Sequence, residues 1–233
     1  MLIGGLEKLT LIDYPGKVAA TVFTSGCNFR CPFCHNPRLT TISEFESPAF
    51  SEKEVLDYLN TNKDYLEGVC VTGGEPSLQA DLKKFLAEIK SLGLLVKLDT
   101  NGSNPEVLEN LLSEKLVDYI AMDVKSPLEE EAYNYFLPGL NFKNIARSVD
   151  IIKNSGVDYE FRTTVFPLLA EEDIMEIAES LAGSRAYYLQ RFSDENELMD
   201  EGLRGKKYLQ REDLENIREK IKDKFDYCGV RNG

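Results

Sequence analysis

Six short runs of apolar or β-branched residues punctuate the chain, at 18–24, 68–72, 94–99, 119–124, 159–165 and 186–190. They are near-continuously apolar rather than alternating, the pattern of strands buried on both faces of a parallel sheet. Between them, apolar positions recur at helical spacing, with ends set by local residue chemistry. Ser51 with Glu54 predicts a capping box, and Phe50 with Val55 the hydrophobic staple around it. The next helix carries Leu78, Leu82, Phe85, Leu86 and Ile89 on one face and stops at Gly93. Asn104-Pro105 predicts an N-cap followed by the first helical residue. Asn141 caps a helix bearing Ile145, Val149 and Ile152, stopped by Gly156. Glu171, Glu172 and Asp173 open another with the charge its dipole favours, and Gly183 closes it. A last helix, over 211–225, spaces Leu214, Ile217, Ile221 and Phe225 on one face.

Strands separated by single helices imply βαβ units and a parallel sheet. About six such units fit the chain, fewer than the eight of a closed barrel. The expected fold class is therefore α/β, either a partial (β/α)6 barrel or a doubly wound sheet. In both, ligand sites form where strands end and loops begin. No linker divides the 233 residues, which read as a single domain with a core over about 17–192 and a helical extension over about 193–233.

Composition narrows the function. Hydrophobic residues at 42% can fill a core, so disorder is not the default. Forty acidic against 27 basic residues give a net charge of −13, which argues against non-specific binding to nucleic acid or anionic lipid. No basic segment followed by an apolar one opens the sequence, and runs such as 18–23 are far too short to span a bilayer. A cytoplasmic protein is expected.

The five cysteines locate the chemistry. Cys27, Cys31 and Cys34 crowd into the loop after the first predicted strand in a C-x3-C-x2-C spacing. Three thiolates on one loop can face a single metal centre, and soft sulfur donors favour zinc, copper(I) or iron–sulfur clusters. A structural zinc or an electron-transfer cluster would need a fourth ligand from Cys70, Cys228 or His35. An open iron would instead leave a place for substrate. Cys70, between Val69 and Val71, reads as a small buried hydrophobe. His35 is the sole histidine, and no G-x-S-x-G motif supports a hydrolase.

With Phe33 before its third cysteine, the segment resembles the signature of radical S-adenosylmethionine (SAM) enzymes. The resemblance implies a partial (β/α)6 barrel of the radical SAM type. It further implies that Cys27, Cys31 and Cys34 hold one 4Fe-4S cluster, whose open iron is chelated by the amino and carboxylate groups of SAM. Reductive cleavage of SAM then yields a 5′-deoxyadenosyl radical. Phe33 would place its backbone beside the adenine. Thr72-Gly73-Gly74-Glu75-Pro76 is similar to the family's GGE-P motif, so Gly73, Gly74 and Glu75 would meet the methionine amino group.

Asp99-Thr100-Asn101-Gly102 and Met122-Asp123-Val124-Lys125 resemble D-T-N-G and D-x-K stretches of the glycyl radical enzyme activating branch. On that resemblance Asp99, Thr100 and Asp123 are ligands of a monovalent cation, with a carbonyl near Ala121, and Asp99 also lies in the SAM site. Lys125 would pair with the SAM carboxylate. Arg162, Gln190 and Arg191 are further candidates for SAM or substrate contacts. Cys34-His35-Asn36-Pro37 matches the same branch, whereas the opening Gly5 to Gly16, ending Asp13-Tyr14-Pro15-Gly16, looks most like activating proteins of anaerobic ribonucleoside-triphosphate reductase. Pyruvate formate-lyase activases usually show D-G-P-G there. The implied enzyme is an oxidoreductase that takes hydrogen from a glycine of its partner protein, with a flavodoxin or ferredoxin-type electron donor. The competing readings are a pyruvate formate-lyase-type activase, a radical SAM enzyme acting on a small molecule, and a non-catalytic zinc or electron-transfer protein.

Overall fold

The computed structural model describes residues 1–41, 48–137, 140–195 and 197–232. Contacts divide the chain into two compact units, each assembled from separate stretches of sequence. The first comprises Met1–Asn28, Arg38–Thr100 and Asn104–Ile120; the second comprises Phe29–Pro37, Asn101–Ser103 and the chain from Ala121 onward.

In the first unit, β1 (Ile3–Thr10) runs antiparallel to β2 (Ala19–Thr24), which is parallel to β3 (Gly68–Gly73), itself parallel to β4 (Leu95–Thr100). Three helices accompany these strands. In α1 (Glu52–Asn62) the expected capping box between Ser51 and Glu54 forms, and Val55 and Leu59 are buried. In α2 (Leu82–Ser91) Leu82, Phe85, Leu86 and Ile89 form the buried face. In α3 (Pro105–Ser113) Leu108 and Leu111 are buried. One expectation needs correction and another is met in part. Leu78 belongs to a 3-10 turn started by Pro76 and is 43% exposed, because Gln79 is extended and interrupts the helical path. Asn104 takes the expected N-cap position of α3 with Pro105 after it, but makes no side-chain cap bond; its Nδ2 donates to Ser77 Oγ at 2.9 Å.

In the second unit, β6 (Asp158–Val165), β7 (Ala186–Arg191) and β8 (Tyr227–Asn232) are parallel. Helices α4 (Glu130–Phe136), α5 (Phe142–Lys153), α6 (Glu171–Ser180) and α7 (Arg211–Ile221) also belong to this unit. Asn141 caps α5 through Lys143 N, and Ile145, Val149 and Ile152 are buried. Helix α7 ends at Ile221. Phe225 lies beyond it, after a 3-10 turn, in extended backbone leading into β8. The region expected to be a helical extension thus also contributes a strand. The remaining strand, β5 (Tyr119–Asp123), starts among first-unit residues and finishes among second-unit residues.

In chain order, β2 to β7 are the six strands expected, each followed by helix before the next begins. Parallel register has a consequence for function. Thr24 pairs with Gly73 and Val71 with Leu98, so β2, β3 and β4 finish at one edge and their following loops are brought together. Among the described residues, no helix is long and apolar enough to cross a membrane.

Candidate active site

In the first unit the site begins where β2 ends. Gly26 N donates to Leu39 O at 2.7 Å and Cys27 N to Thr40 O at 3.2 Å, which fixes the stem of the cysteine loop. The loop after β3 is laced onto the same stem. Gly74 N donates to Thr24 O and Glu75 N to Gly26 O, each at 2.8 Å. Only glycine permits this approach. A Cβ on Gly74 would lie 2.2 Å from Gly26 O, and Gly73 has φ +112°, a left-handed conformation that side chains rarely adopt.

Glu75 is fully buried. Its Oε1 accepts from Ser77 N at 3.0 Å and from Thr100 Oγ1 at 2.9 Å, so the carboxylate is oriented by its own turn and by the end of β4. Asp99, also near the end of β4, accepts from Thr72 Oγ1 at 3.3 Å and forms an ion pair with Lys97. Lys97 is 2% exposed and its Nζ lies 3.6 Å from Cys70 Sγ. Cys70 is fully buried, as a strand-interior hydrophobe should be. Lys97 is a residue that the sequence motifs do not single out. A signal exists all the same: Lys97 and Asp99 are two apart in a strand, hence on one face, and a cation in an apolar strand needs a carboxylate there.

In the second unit, Cys34 N donates to Cys31 O at 3.0 Å, closing a turn across the Pro-Phe pair. Cys31 is buried, and Cys27 and Cys34 are partly exposed. Phe33 is buried and stacks on Phe166 with ring centroids 4.3 Å apart; Lys125 Nζ sits 5.7 Å from the centre of the Phe33 ring. His35 packs near Phe192, and burial lowers its pKa against an opposing hydrogen bond with the Ser193 backbone.

The ends of β5 and β6 are joined in this unit through Val124 N to Arg162 O at 2.8 Å. Asp123 accepts from Arg162 Nε at 2.9 Å and from Lys125 Nζ at 3.1 Å. Burial alone would raise the Asp123 pKa, but the two cations outweigh it and hold the carboxyl well below the ordinary range. Arg162 also approaches Glu160 at 3.9 Å. Glu160 in turn takes a bidentate contact from Arg231 on β8, at 2.6 and 2.9 Å. Arg231 stacks over Tyr188, 3.4 Å from the ring centre. Gln190 stands in register with Arg231, near the end of β7. The Glu160–Arg231 pair has no signal in the local sequence, because β8 itself has none.

The donor chemistry can be compared with what the sequence motifs demand. Three cysteines in C-x3-C-x2-C spacing suit a soft iron–sulfur centre. Among the described residues no three His, Cys, Asp or Glu side chains converge as a metal site, so the cysteine trio stands on its spacing alone. The oriented Glu75 carboxylate and the glycine backbone supply acceptors for an ammonium group. The oxygens expected to hold a monovalent cation fit less well. Asp99 and Asp123 already carry protein cations, and the Thr100 hydroxyl donates to Glu75.

A model of the radical SAM superfamily matches residues 21–181. A protein of Methanocaldococcus jannaschii, whose name assigns it provisionally as a glycyl-radical enzyme activating enzyme, is 35% identical over 230 residues, covering 89% of this chain and 93% of its own. The pyruvate formate-lyase-activating enzyme of Clostridium pasteurianum is 28% identical over 190 residues, 78% of this chain and 77% of that one. Among solved structures, Streptococcus suis SuiB bound to S-adenosylmethionine aligns with a TM-score of 0.70 at 16% identity. The alignment covers 88% of this chain and 48% of SuiB, so this chain spans about half of that protein's length. The chain therefore belongs to the radical SAM superfamily, with the α/β, partial-barrel fold of that class. Within it, the chain groups with the glycyl-radical enzyme activating enzymes. Membership implies a 4Fe-4S cluster and SAM as cofactors.

Proposed function

We propose that this chain activates a glycyl radical enzyme, and that its partner is anaerobic ribonucleoside-triphosphate reductase. The observation that carries the chemistry is the lacing of the Gly73-Gly74-Glu75 turn onto Gly26, the residue before Cys27. It puts an oriented carboxylate and open backbone beside the stem of the cysteine loop. A structural zinc site or an electron-transfer cluster has no use for that turn. The choice of partner rests on Asp13-Tyr14-Pro15-Gly16 in the opening segment.

In this reading Cys27, Cys31 and Cys34 would hold the cluster, with SAM bound beside it. Together these cofactors supply reductive cleavage to methionine and a 5′-deoxyadenosyl radical. Glu75 and the backbone carbonyls at Gly73 and Gly74 would orient the ammonium by accepting hydrogen bonds from its N–H groups. Lys125 and Arg162 provide positive charge for the carboxylate, and Gln190 is a further polar contact. Phe33 would place its backbone beside the adenine, and its stacking on Phe166 would help to keep water from a reactive intermediate. The hydrogen taken from the partner's glycine moves as an atom, so no general base is needed, and His35 packs rather than titrates in the reaction.

Anaerobic reconstitution with iron and sulfide, reduction by dithionite and addition of SAM should release 5′-deoxyadenosine. Mixing with candidate glycyl radical enzymes should then give a glycine-centred electron paramagnetic resonance signal with the ribonucleotide reductase alone. No 5′-deoxyadenosine would refute the chemistry. A signal on pyruvate formate-lyase instead would reassign the partner.

A further inference from the structure

The motif around Asp99 suggests a ligand for a monovalent cation, yet Asp99 already has a positive charge of the protein's own. Lys97 stands two residues before it on β4, on the same face, with 2% of its surface exposed. Other side chains close around the pair. Thr72 Oγ1 reaches the second carboxylate oxygen of Asp99 at 3.3 Å, Cys70 Sγ lies 3.7 Å from the first, and the Tyr119 ring centre is 6.0 Å from the ammonium. A buried ammonium is tolerated only against a carboxylate, and a carboxylate so engaged has little negative charge left for an alkali ion. Within the second unit, Asp123 is likewise balanced by Arg162 and Lys125.

We propose that Lys97 takes the place of the monovalent cation at Asp99, so that this chain binds and cleaves SAM without an alkali ion. The proposal rests on the SAM reading above and deepens it. Lys97 is a positioning residue: it fixes the Asp99 carboxylate and the local charge, and reaches no reacting atom. A tethered ammonium differs from a bound ion in one measurable respect, because it cannot be diluted away.

The test has two arms. In the first, the reconstituted wild-type protein is assayed for SAM affinity and 5′-deoxyadenosine release in potassium chloride and in tetramethylammonium chloride. The two salts should agree within about two-fold, with ionic strength matched so that screening is constant. In the second, the melting temperature of the cofactor-free chain is measured in the same salts. Wild type and Lys97→Arg should melt alike in both. Lys97→Gln should melt lower in tetramethylammonium and be raised by potassium, which binds only the folded chain once Asp99 lacks its partner.

A wild-type protein that needs potassium for SAM binding, or that potassium specifically stabilises, overturns the proposal. So does a Lys97→Gln protein that melts and cleaves like wild type in both salts. Should Lys97→Gln fail to fold, the wild-type comparison decides alone, since it needs no variant. Should no 5′-deoxyadenosine form in either salt, the SAM reading falls, and the melting arm still shows whether Asp99 takes potassium.

Discussion

The two units handle buried charge in opposite ways. In the first, Asp99 is paired with Lys97 while Glu75 is held by hydroxyl and amide donors, and these three side chains together carry one net negative charge. In the second, Asp123 and Glu160 are set among Lys125, Arg162 and Arg231, and these five carry one net positive charge. Neither set is a surface ion pair of the kind that contributes little; Lys97, Glu75 and Glu160 are almost wholly removed from water. The difference reads as chemistry. Taken by itself, the acceptor-rich set has the chemistry to meet a cationic group, and the donor-rich set that to meet an anionic one.

The largest effects should come from the cysteine loop. Cys27→Ala, Cys31→Ala and Cys34→Ala should each abolish SAM cleavage and lower the iron content, whereas Cys70→Ala should spare both. A Cys70→Ala protein unable to hold iron would show that the ligand set is incomplete. Next in size is Gly74→Ala. Its new methyl would meet Gly26 O at 2.2 Å, and the contact is backbone, so the turn must move. A loss of about 1–3 kcal/mol in stability is expected from such overpacking, with a larger fall in SAM affinity. Calorimetric binding to the reconstituted protein would measure it; unchanged affinity would remove the acceptor-rich turn from the site.

The donor-rich set gives smaller and more separable effects. Lys125→Ala should weaken SAM binding about ten-fold, the loss of one charge-assisted contact, and leave the iron content alone. Arg231→Ala should do the reverse, destabilising the fold with little effect on SAM affinity. It leaves Glu160 buried without its bidentate partner, at about 1–3 kcal/mol, below the fully buried range because Arg231 itself is 32% exposed. Urea unfolding of the two variants would separate binding charge from structural charge. If Arg231→Ala were neutral to folding, Glu160 would not depend on it.

Much of the fold and of the acceptor-rich turn is legible in the amino-acid sequence alone. The six apolar runs mark β2 to β7 to within a residue or so, because strands buried on both faces cannot hide among polar neighbours. The cysteine spacing and the Gly-Gly-Glu turn are equally plain. What escapes has a common cause. Strand β1 begins Ile3-Gly4-Gly5 and carries Glu7 and Lys8 on a half-exposed edge. Strand β8 has Gly229 at its centre and Arg231 beside it, and it is held by register with β7 rather than by its own apolar residues. Helix α4 is short, has no side-chain cap, and buries Tyr133 alone. Each is specified by tertiary partners, which a local pattern does not register. The hidden charges follow from the hidden elements. Without β8 there is no Arg231, and Lys97 taken singly is one polar position within an otherwise apolar run.

The finest distinction between the sets is their response to acid. Arg162 and Lys125 depress the Asp123 pKa in the folded chain below its value in the unfolded one. Between those two values the unfolded chain binds the proton and the folded chain does not, so stability rises with pH there. The contribution of Asp123 is therefore complete above the ordinary carboxylate range and is lost as the pH falls through the folded value. Asp123→Asn removes the titration together with the ion pairs. It should be less stable than wild type near neutrality, and the gap should close as the pH drops below about 5. Urea midpoints of the two proteins from neutral pH down to the acid limit of folding would show it. A constant gap across that range would mean that Asp123 is not held as an ion in the folded chain. The second set would then lose its central carboxylate, and Lys125 and Arg162 would stand without the anion that balances them.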